Sequence, residues 1–460
     1  VSIKLIPGIV TLLVAGLATL TRADGVDRFA KDQMAKLQIP GMVFGVVRDG
    51  KLIRKSCYGL SDVELHVKIR SDDRFELGSI TKQFTAAATF MLVDDGKLAL
   101  SDTVSRFIPE APPAWQGVTV YQLLHHTSGL PEYALTDGLR LTEEFTRKQF
   151  FEKLSATPVD FHPGETWAYS NTNFALLGWI IEKCSGVPYT TFVTDRVLKP
   201  LGMSQTRFNR LYDVIEHRAH GYLNTQKTLR RAQLSAESID SDGSLMSTVE
   251  DLAKWDAALA AHKLLSEQSY KDMWTPAVLN SGRKRFYGAG WFLPPYSSLP
   301  YVGHPGNSSG FSAGIARFTA AKLTVIVLTN VYAVDGEGLA RQIAWIVDPS
   351  LRPSPTVVMS DPDPGRTAQV QNALAQLAAS DANGNVLEPE VAVTLNGTRA
   401  KSFSPYSAFK KIEKLEFCNA TPYGQDTLLH YKIKASGKPY EATLLWSNRN
   451  RLAHAILIPS

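Results

Sequence analysis

Apolar runs of strand length alternate along the chain with longer stretches of helical period, and the alternation sets the expected architecture. Residues 41–47 (GMVFGVV) and 52–59 flank Asp49-Gly50. That dipeptide tolerates positive φ and suits a two-residue turn, so an antiparallel hairpin is expected. Residues 311–318 and 323–329 (LTVIVLT) flank another short turn and predict a second hairpin far along the chain. The two hairpins can join into one sheet. Between them, helices are expected over 79–94, over 174–184 with a stop at Ser185-Gly186, and over 250–261 behind a Ser247-Thr248 cap. The fold class is therefore α+β with an antiparallel sheet.

The two ends read differently. Residues 1–23 place Lys4 before the apolar run Leu5 to Leu20, followed by small Ala23. This is the layout of a signal peptide cut before Asp24, and it predicts an exported protein, periplasmic or extracellular. An uncleaved segment would instead anchor the chain to a membrane; Pro7 and Gly8 weaken a spanning helix there. The domain expected next covers 24–348. Residues 349–366 (PSLRPSPTVVMSDPDPGR) are rich in proline, which fixes φ and removes amide donors, and read as a linker. Residues 367–460 carry one helical stretch (368–379) and then strand-like runs such as 428–435 and 440–446, which predict a small α+β domain. Its outline resembles the helix-backed curved sheet of NTF2-like domains, without a motif to carry the likeness.

With 44% hydrophobic and 20% charged residues over 460 positions, the chain has ordinary globular usage and can bury a large core. The net charge of +5 is spread without a basic block, so nucleic acid is not an implied partner. Cys57, Cys184 and Cys418 are too few and too scattered for a disulfide framework or a cysteine zinc site. Cys184, at the end of an apolar helical face, reads as a small hydrophobe.

Three polar clusters carry candidate chemistry. Ser79-Ile-Thr-Lys82 opens a helix, and residues three apart share a helix face, so the Lys82 amine lies over the Ser79 hydroxyl. A serine hydroxyl is a poor nucleophile alone, whereas an amine desolvated among apolar groups loses proton affinity and can take the serine proton. The same four residues also fit a serine N-cap with a solvated lysine. Tyr169-Ser-Asn171 follows a Pro-Gly turn and an aromatic stretch; a phenolate near a lysine is a base, and Asn171 can donate to a substrate carbonyl. A turn with a capping Asn fits these residues equally. Gly303-His-Pro-Gly-Asn307 enters the strand-like run at Phe311, and its glycines permit close backbone approach to a ligand. The amides of Ser79 and Asn307 can then form an oxyanion hole, although a glycine-rich hairpin is the plainer reading.

Taken in order, the three clusters resemble those of the serine β-lactamase and penicillin-binding-protein superfamily, in particular class C β-lactamases, D-aminopeptidases and family VIII carboxylesterases. Ser79 and Lys82 match S-x-x-K, Tyr169 and Asn171 match Y-x-N, and His304-Pro305-Gly306 stands where β-lactamases carry Lys-Thr-Gly. Residues 123–131 (LLHHTSGLP) and 243–255 (GSLMSTVEDLAKW) extend the resemblance, which covers roughly 24–348. It implies a β-lactamase/transpeptidase-like fold, an antiparallel sheet flanked by helices plus a helical subdomain, with the site in the cleft between the two parts. Ser79 would be acylated, with Lys82 and Tyr169 sharing the base role and Tyr169 activating the deacylating water. Asn171, His304, Gly306 and Asn307 would bind substrate. No cofactor or metal is implied.

One departure bears on substrate. The Lys-Thr-Gly lysine supplies a fixed cation for a carboxylate, whereas His304 is mostly neutral near pH 7. The expected partner is therefore a small-molecule or peptide acyl substrate, an ester, amide or D-amino-acid peptide, with cell-wall peptides and β-lactams as the narrower candidates. A true β-lactamase, a slowly deacylating penicillin sensor and a non-catalytic cell-wall scaffold are the competing readings. His125-His126 read as structural rather than metal-binding, Glu165 as a capping carboxylate, and Trp167 and Trp291 as either cleft or core residues.

Overall fold

The computed structural model describes residues 25–225, 228–236, 238–295, 301–353, 356–379, 385–389, 391 and 407–459. The signal-peptide segment expected over 1–23 lies outside them. The chain divides into two compact units: 1–88, 187–267 and 299–352 form one, and 89–186, 268–298 and 353–460 the other.

The first unit is built on a six-stranded sheet. Its strands are β1 (Gly41–Arg48), β2 (Lys51–Asp62), β3 (Val67–Lys68), β4 (Val302–Ser308), β5 (Phe311–Phe318) and β6 (Leu323–Thr329), in the order β3-β2-β1-β6-β5-β4. The expected hairpins are β1–β2 and β5–β6, and antiparallel pairing of β1 with β6 joins them. Asp49 and Gly50 take φ of 50° and 71°, the left-handed pair such a two-residue turn requires. β1 and β6 are buried along nearly their whole length because both faces of the sheet are covered. Gly45, Ile326, Ile315 and His304 lie opposite one another and so share a face, and Gly45 abuts Val249 of the Val249–Ala260 helix. Gly314 on the other face abuts the start of the Gly336–Val347 helix. A helix over 25–37 reaches that same second helix, Gly25 meeting Ile346.

The glycine-rich run expected only as a strand entry is itself β4, at the sheet edge. An edge tolerates Pro305, whose missing N–H would break an interior ladder. The Thr248 side chain caps the Val249–Ala260 helix by accepting from the Asp251 amide, as its sequence implies.

In the second unit the Asn171–Ser185 helix is almost wholly buried and stops at Gly186, with φ of 76°. It begins at Asn171, three residues before the apolar run that signalled it. The C-terminal sheet is an up-and-down meander of β7 (Ile412–Tyr423), β8 (Asp426–Ala435), β9 (Lys438–Trp446) and β10 (Leu452–Pro459). The Pro364–Ala379 helix packs Val370, Leu374 and Leu377 into the same core as Leu429, Tyr431 and Leu444. That helix starts at Pro364 rather than 368, because proline suits the first turn, where its missing donor costs nothing. Within the proline-rich stretch, Pro349–Leu351 form a short 3-10 turn and the Met359 amide donates to Phe417 of β7.

Candidate active site

Ser79 sits in a 3-10 turn, Gly78–Ile80, that leads into the Thr81–Asp94 helix. It is thus just before the α-helix rather than its first α-helical residue, yet the expected pairing with Lys82 holds: Lys82 Nζ donates to Ser79 Oγ at 3.1 Å and to the Asp242 carbonyl at 2.7 Å. Lys82 is 0% exposed. The segment carrying that carbonyl is strapped along the helix. Thr85 Oγ1 donates to the Ser241 carbonyl at 2.6 Å, Thr81 Oγ1 accepts from the Leu245 amide at 3.2 Å, and the Leu77 amide donates to the Leu245 carbonyl at 2.8 Å. Below the turn, Phe84 stacks on Trp255, whose Nε1 donates to Gln83 at 3.0 Å.

β4 lies against this turn by virtue of two glycines. A Cβ on Gly78, which has φ of 52°, would collide with the backbone of Asn307, and one on Gly306 would collide with the Leu77 carbonyl. The Ser309-Gly310 turn closes the Ser308–Phe311 pair, and pairs alternate in an antiparallel ladder, so Asn307–Ser312 is a non-hydrogen-bonded pair and the Asn307 N–H points outward from the edge. This orientation is the one an oxyanion donor needs. The Asn307 side chain points to the opposite face of the sheet from Gly306 and accepts from Ser312 Oγ at 2.8 Å. Gly306 thus contributes through the absence of a side chain.

His304 shares the Gly306 face, is 1% exposed, and donates from Nδ1 to the Pro305 carbonyl at 2.6 Å. Burial pushes its pKa down to about 3, with the Lys82 cation acting in the same direction. The ring is neutral across the physiological range.

A fully buried carboxylate that the motifs did not reveal ties these pieces together. Glu76 accepts from Ser308 Oγ at 2.6 Å, Ser235 Oγ at 2.9 Å and Asn209 Nδ2 at 3.0 Å. Burial raises its pKa, against the opposing hydrogen bonds and the Arg218 charge. Three residues before Ser79 and bonded to the neighbour of Asn307, it fixes the Ser79 turn to β4. Its only sequence signal was a charged residue inside the apolar stretch Phe75-Glu-Leu77.

Tyr169 and Asn171 belong to the second unit. Tyr169 packs on His126, ring centroids 4.3 Å apart, and lies parallel to Phe292 at 6.5 Å with Tyr287 edge-on at 6.3 Å. His126 Nδ1 accepts from the Ser170 amide at 3.2 Å and from Asn173 Nδ2 at 2.9 Å, so the buried His126 supports the Tyr169 loop, in keeping with the structural role its sequence context indicated. Ser128 Oγ donates to Asn173 Oδ1. The Asn171 amide donates to Glu132 Oε2 at 2.6 Å, which satisfies a donor at the start of its helix. His125 donates to the Tyr121 carbonyl at 2.8 Å, and Glu165 accepts from the His162 amide at 3.1 Å as a turn cap. Trp291 is buried, whereas Trp167 is half-buried beside Tyr287 and Phe292. Cys57, Cys184 and Cys418 are free thiols, each pushed up in pKa by burial.

Among the described residues, two groups have metal-ligand spacing, Asp62/Glu64/His220 and Asp72/Asp73/His217. Each already holds an arginine: Arg231 pairs with Glu64 at 2.7 Å and Arg70 with Asp72 at 2.9 Å.

The chain's likeness to known proteins agrees with this chemistry. Residues 26–347 match the beta-lactamase family. Penicillin-binding protein 4* of Bacillus subtilis (strain 168) is 32% identical over 318 residues, covering 64% of this chain and 69% of that protein. Protein flp of Staphylococcus aureus (strain N315) is 30% identical, and the match spans 62% of its length. Among solved structures, a D-stereospecific amidohydrolase from Streptomyces sp. covers 66% of this chain and 92% of its own at TM-score 0.57 and 27% identity. The octameric penicillin-binding protein homologue from Pyrococcus abyssi covers 95% of this chain and 98% of its own at TM-score 0.64 and 22% identity, a likeness of fold. With the match running over 322 of its 460 residues, the whole of the sheet and the Ser79 turn included, the chain belongs to the beta-lactamase family.

Proposed function

We propose that this protein is an exported serine hydrolase that turns over an ester, amide or D-amino-acid peptide through an acyl-enzyme on Ser79. The carrying observation is the buried Lys82 amine, 3.1 Å from Ser79 Oγ and 2.7 Å from the Asp242 carbonyl. Burial opposes the ammonium form of such an amine. In its neutral form the amine reverses the contact and accepts the Ser79 proton. Lys82 and Tyr169 share that work as a coupled pair. Ser79 Oγ then bonds to the acyl carbon, the oxyanion rests on the Ser79 and Asn307 amides, and the leaving group departs with the proton. Water, activated at Tyr169, attacks the acyl-enzyme and releases the acid and Ser79. Asn171 orients the substrate.

The neutral His304 supports the broader hydrolase reading over efficient β-lactam turnover, because it offers no fixed cation to a substrate carboxylate. The similarity to an amidohydrolase described as D-stereospecific points the same way. The test is turnover of a chromogenic ester, a D-amino-acid p-nitroanilide and a chromogenic cephalosporin by the protein and its Ser79→Ala variant. Ser79-dependent release from the first two supports the proposal. A stable adduct with the cephalosporin and no turnover of any substrate would make the protein a penicillin sensor, and activity undiminished in Ser79→Ala would remove the acyl-enzyme.

A further inference from the structure

Segment 268–295 has two sets of contacts inside its own unit. On one side it carries the aromatic cage of Tyr169: Tyr287 lies edge-on to it, Phe292 parallel to it, and these two pack on each other at 4.8 Å. The same segment grips the turn that leads into Tyr169. The Asn280 amide donates to the Gly164 carbonyl at 2.8 Å and Asn280 Nδ2 to the Pro163 carbonyl at 3.0 Å. Gly164 has φ of 79° and no room for a Cβ against Asn280.

On the other side the segment is fastened to the C-terminal sheet. Arg283 Nε donates to both Asp426 oxygens at 3.0 and 3.1 Å, and its Nη1 lies 3.1 Å from Glu388 Oε1. Arg285 approaches Asp426 at 3.5 Å. All four side chains are buried. Phe286 joins Leu428, Leu445 and Ala453 in one apolar cluster, with Tyr423 and His454 against its ring at 5.0 and 5.4 Å. Phe286 is built into the C-terminal sheet, whereas Tyr287, the next residue, is built into the Tyr169 cage. Backbone bonds from both sides of Phe286 hold the segment to Ala277, Arg285 N–H to the Ala277 carbonyl at 2.9 Å and Ala277 N–H to the Tyr287 carbonyl at 2.7 Å.

From this continuity we infer that the C-terminal sheet sets the position of Tyr169, with Arg283, Arg285 and Phe286 as positioning residues that act through the 277–293 hairpin. The inference rests on the reading of Tyr169 as part of the base. It gives the C-terminal sheet a role in catalysis without any contact to substrate. A base displaced by a fraction of an ångström lowers turnover without altering how the substrate is held, so the effect falls on kcat rather than KM.

The test uses the full chain and three variants, Arg283→Gln, Arg285→Gln and Phe286→Leu, with a p-nitrophenyl ester as substrate and the reactive serine counted by active-site titration. Hydrogen exchange over 277–293 reports whether the hairpin has loosened. The expected result is faster exchange there, with kcat per titrated serine down by about tenfold or more and KM within about twofold. A loss that is only structural would lower the titratable fraction and leave turnover per site unchanged. Loosened exchange with wild-type kcat per site, or unchanged exchange in all three variants, overturns the inference. Should Arg283→Gln fail to fold, the milder Arg285→Gln and Phe286→Leu carry the test. Ser79→Ala separates the two levels: a variant that still hydrolyses the ester refutes the acyl-enzyme itself, whereas an inactive one leaves that reading standing whatever the hairpin variants do.

Discussion

The proposed chemistry at residue scale turns on one buried amine. Lys82 is wholly buried and hydrogen-bonds to the Ser79 hydroxyl and to the Asp242 backbone carbonyl. Burial disfavours the charged form of an amine. Replacing it, Lys82→Ala, is expected to slow acylation by at least about a hundredfold with the fold intact, since base assistance is typically worth about 10²–10⁴. Burst kinetics with an activated ester measure this directly, and near-normal acylation would take Lys82 out of the mechanism. His304 poses the complementary question of what the site excludes. Its ring lies buried on the face it shares with Gly306, close enough for the Lys82 charge to depress its pKa. His304→Lys would place an ammonium where none exists. The expected gain is about tenfold in KM for a carboxylate-bearing cephalosporin, equivalent to about 1.4 kcal/mol, at the expense of melting temperature because the new charge is desolvated beside Lys82. Steady-state kinetics with one cephalosporin and one neutral ester decide it: an unchanged cephalosporin KM would show that position 304 does not face the substrate carboxylate.

At the scale of elements, the Ser79 turn and β4, the proposed nucleophile and oxyanion elements, are held a backbone's thickness apart. Gly306 faces the Leu77 carbonyl, and Glu76 bonds to Ser308 beyond it, so the spacing is set by a missing side chain and a buried carboxylate together. Gly306→Ala has to push β4 away from the turn and carry the Asn307 amide with it. The expected loss is about a hundredfold in kcat, the value of one misplaced oxyanion donor, with KM little changed. The two hairpins, the helix stop at Gly186 and the Thr248 cap were all legible in the sequence, because each depends on residues within a few positions of one another. So was the Ser79–Lys82 pair, whose geometry is fixed by helical spacing alone. What escaped was set by residues distant in sequence. Glu76, Ser235 and Ser308 converge from three distant stretches of the chain, His126 reaches the Tyr169 loop from 43 positions away in the chain, and Arg283 meets Asp426 across 143. The run 303–307 reads in the sequence only as a strand entry, because glycine and proline ordinarily break a strand; they persist within β4 because it is an edge and because a neighbour needs the space.

For the molecule as a whole, burial of ionisable groups dictates how stability responds to pH. Three histidines are held neutral, His304 with its pKa pushed down to about 3 and His125 and His454 each to about 4, in every case chiefly by burial. In the unfolded chain all three titrate near 6.5. Below that value the unfolded state binds protons that the native state refuses, so stability falls as the pH drops from about 6.5 toward 4. Glu337 works in the opposite sense. Burial and the neighbouring Asp335 raise it to about 8, so the native state holds a proton that the unfolded carboxyl releases above about 4.5, and stability falls as the pH rises from there to about 8. The two effects cross in the mildly acidic range, and the most stable pH reports their balance. Substitution separates them. His125→Asn removes one acid-sensitive group, and its melting temperature is expected to decline less steeply than the wild type's between pH 6.5 and 4, while Glu337→Gln is expected to flatten the decline between pH 4.5 and 8. Melting curves for the three proteins at unit pH steps test both signs. A His125→Asn profile parallel to the wild type's below pH 6.5 would mean that the imidazole titrates in the fold as it does in the unfolded chain, and that its burial does not oppose its charge.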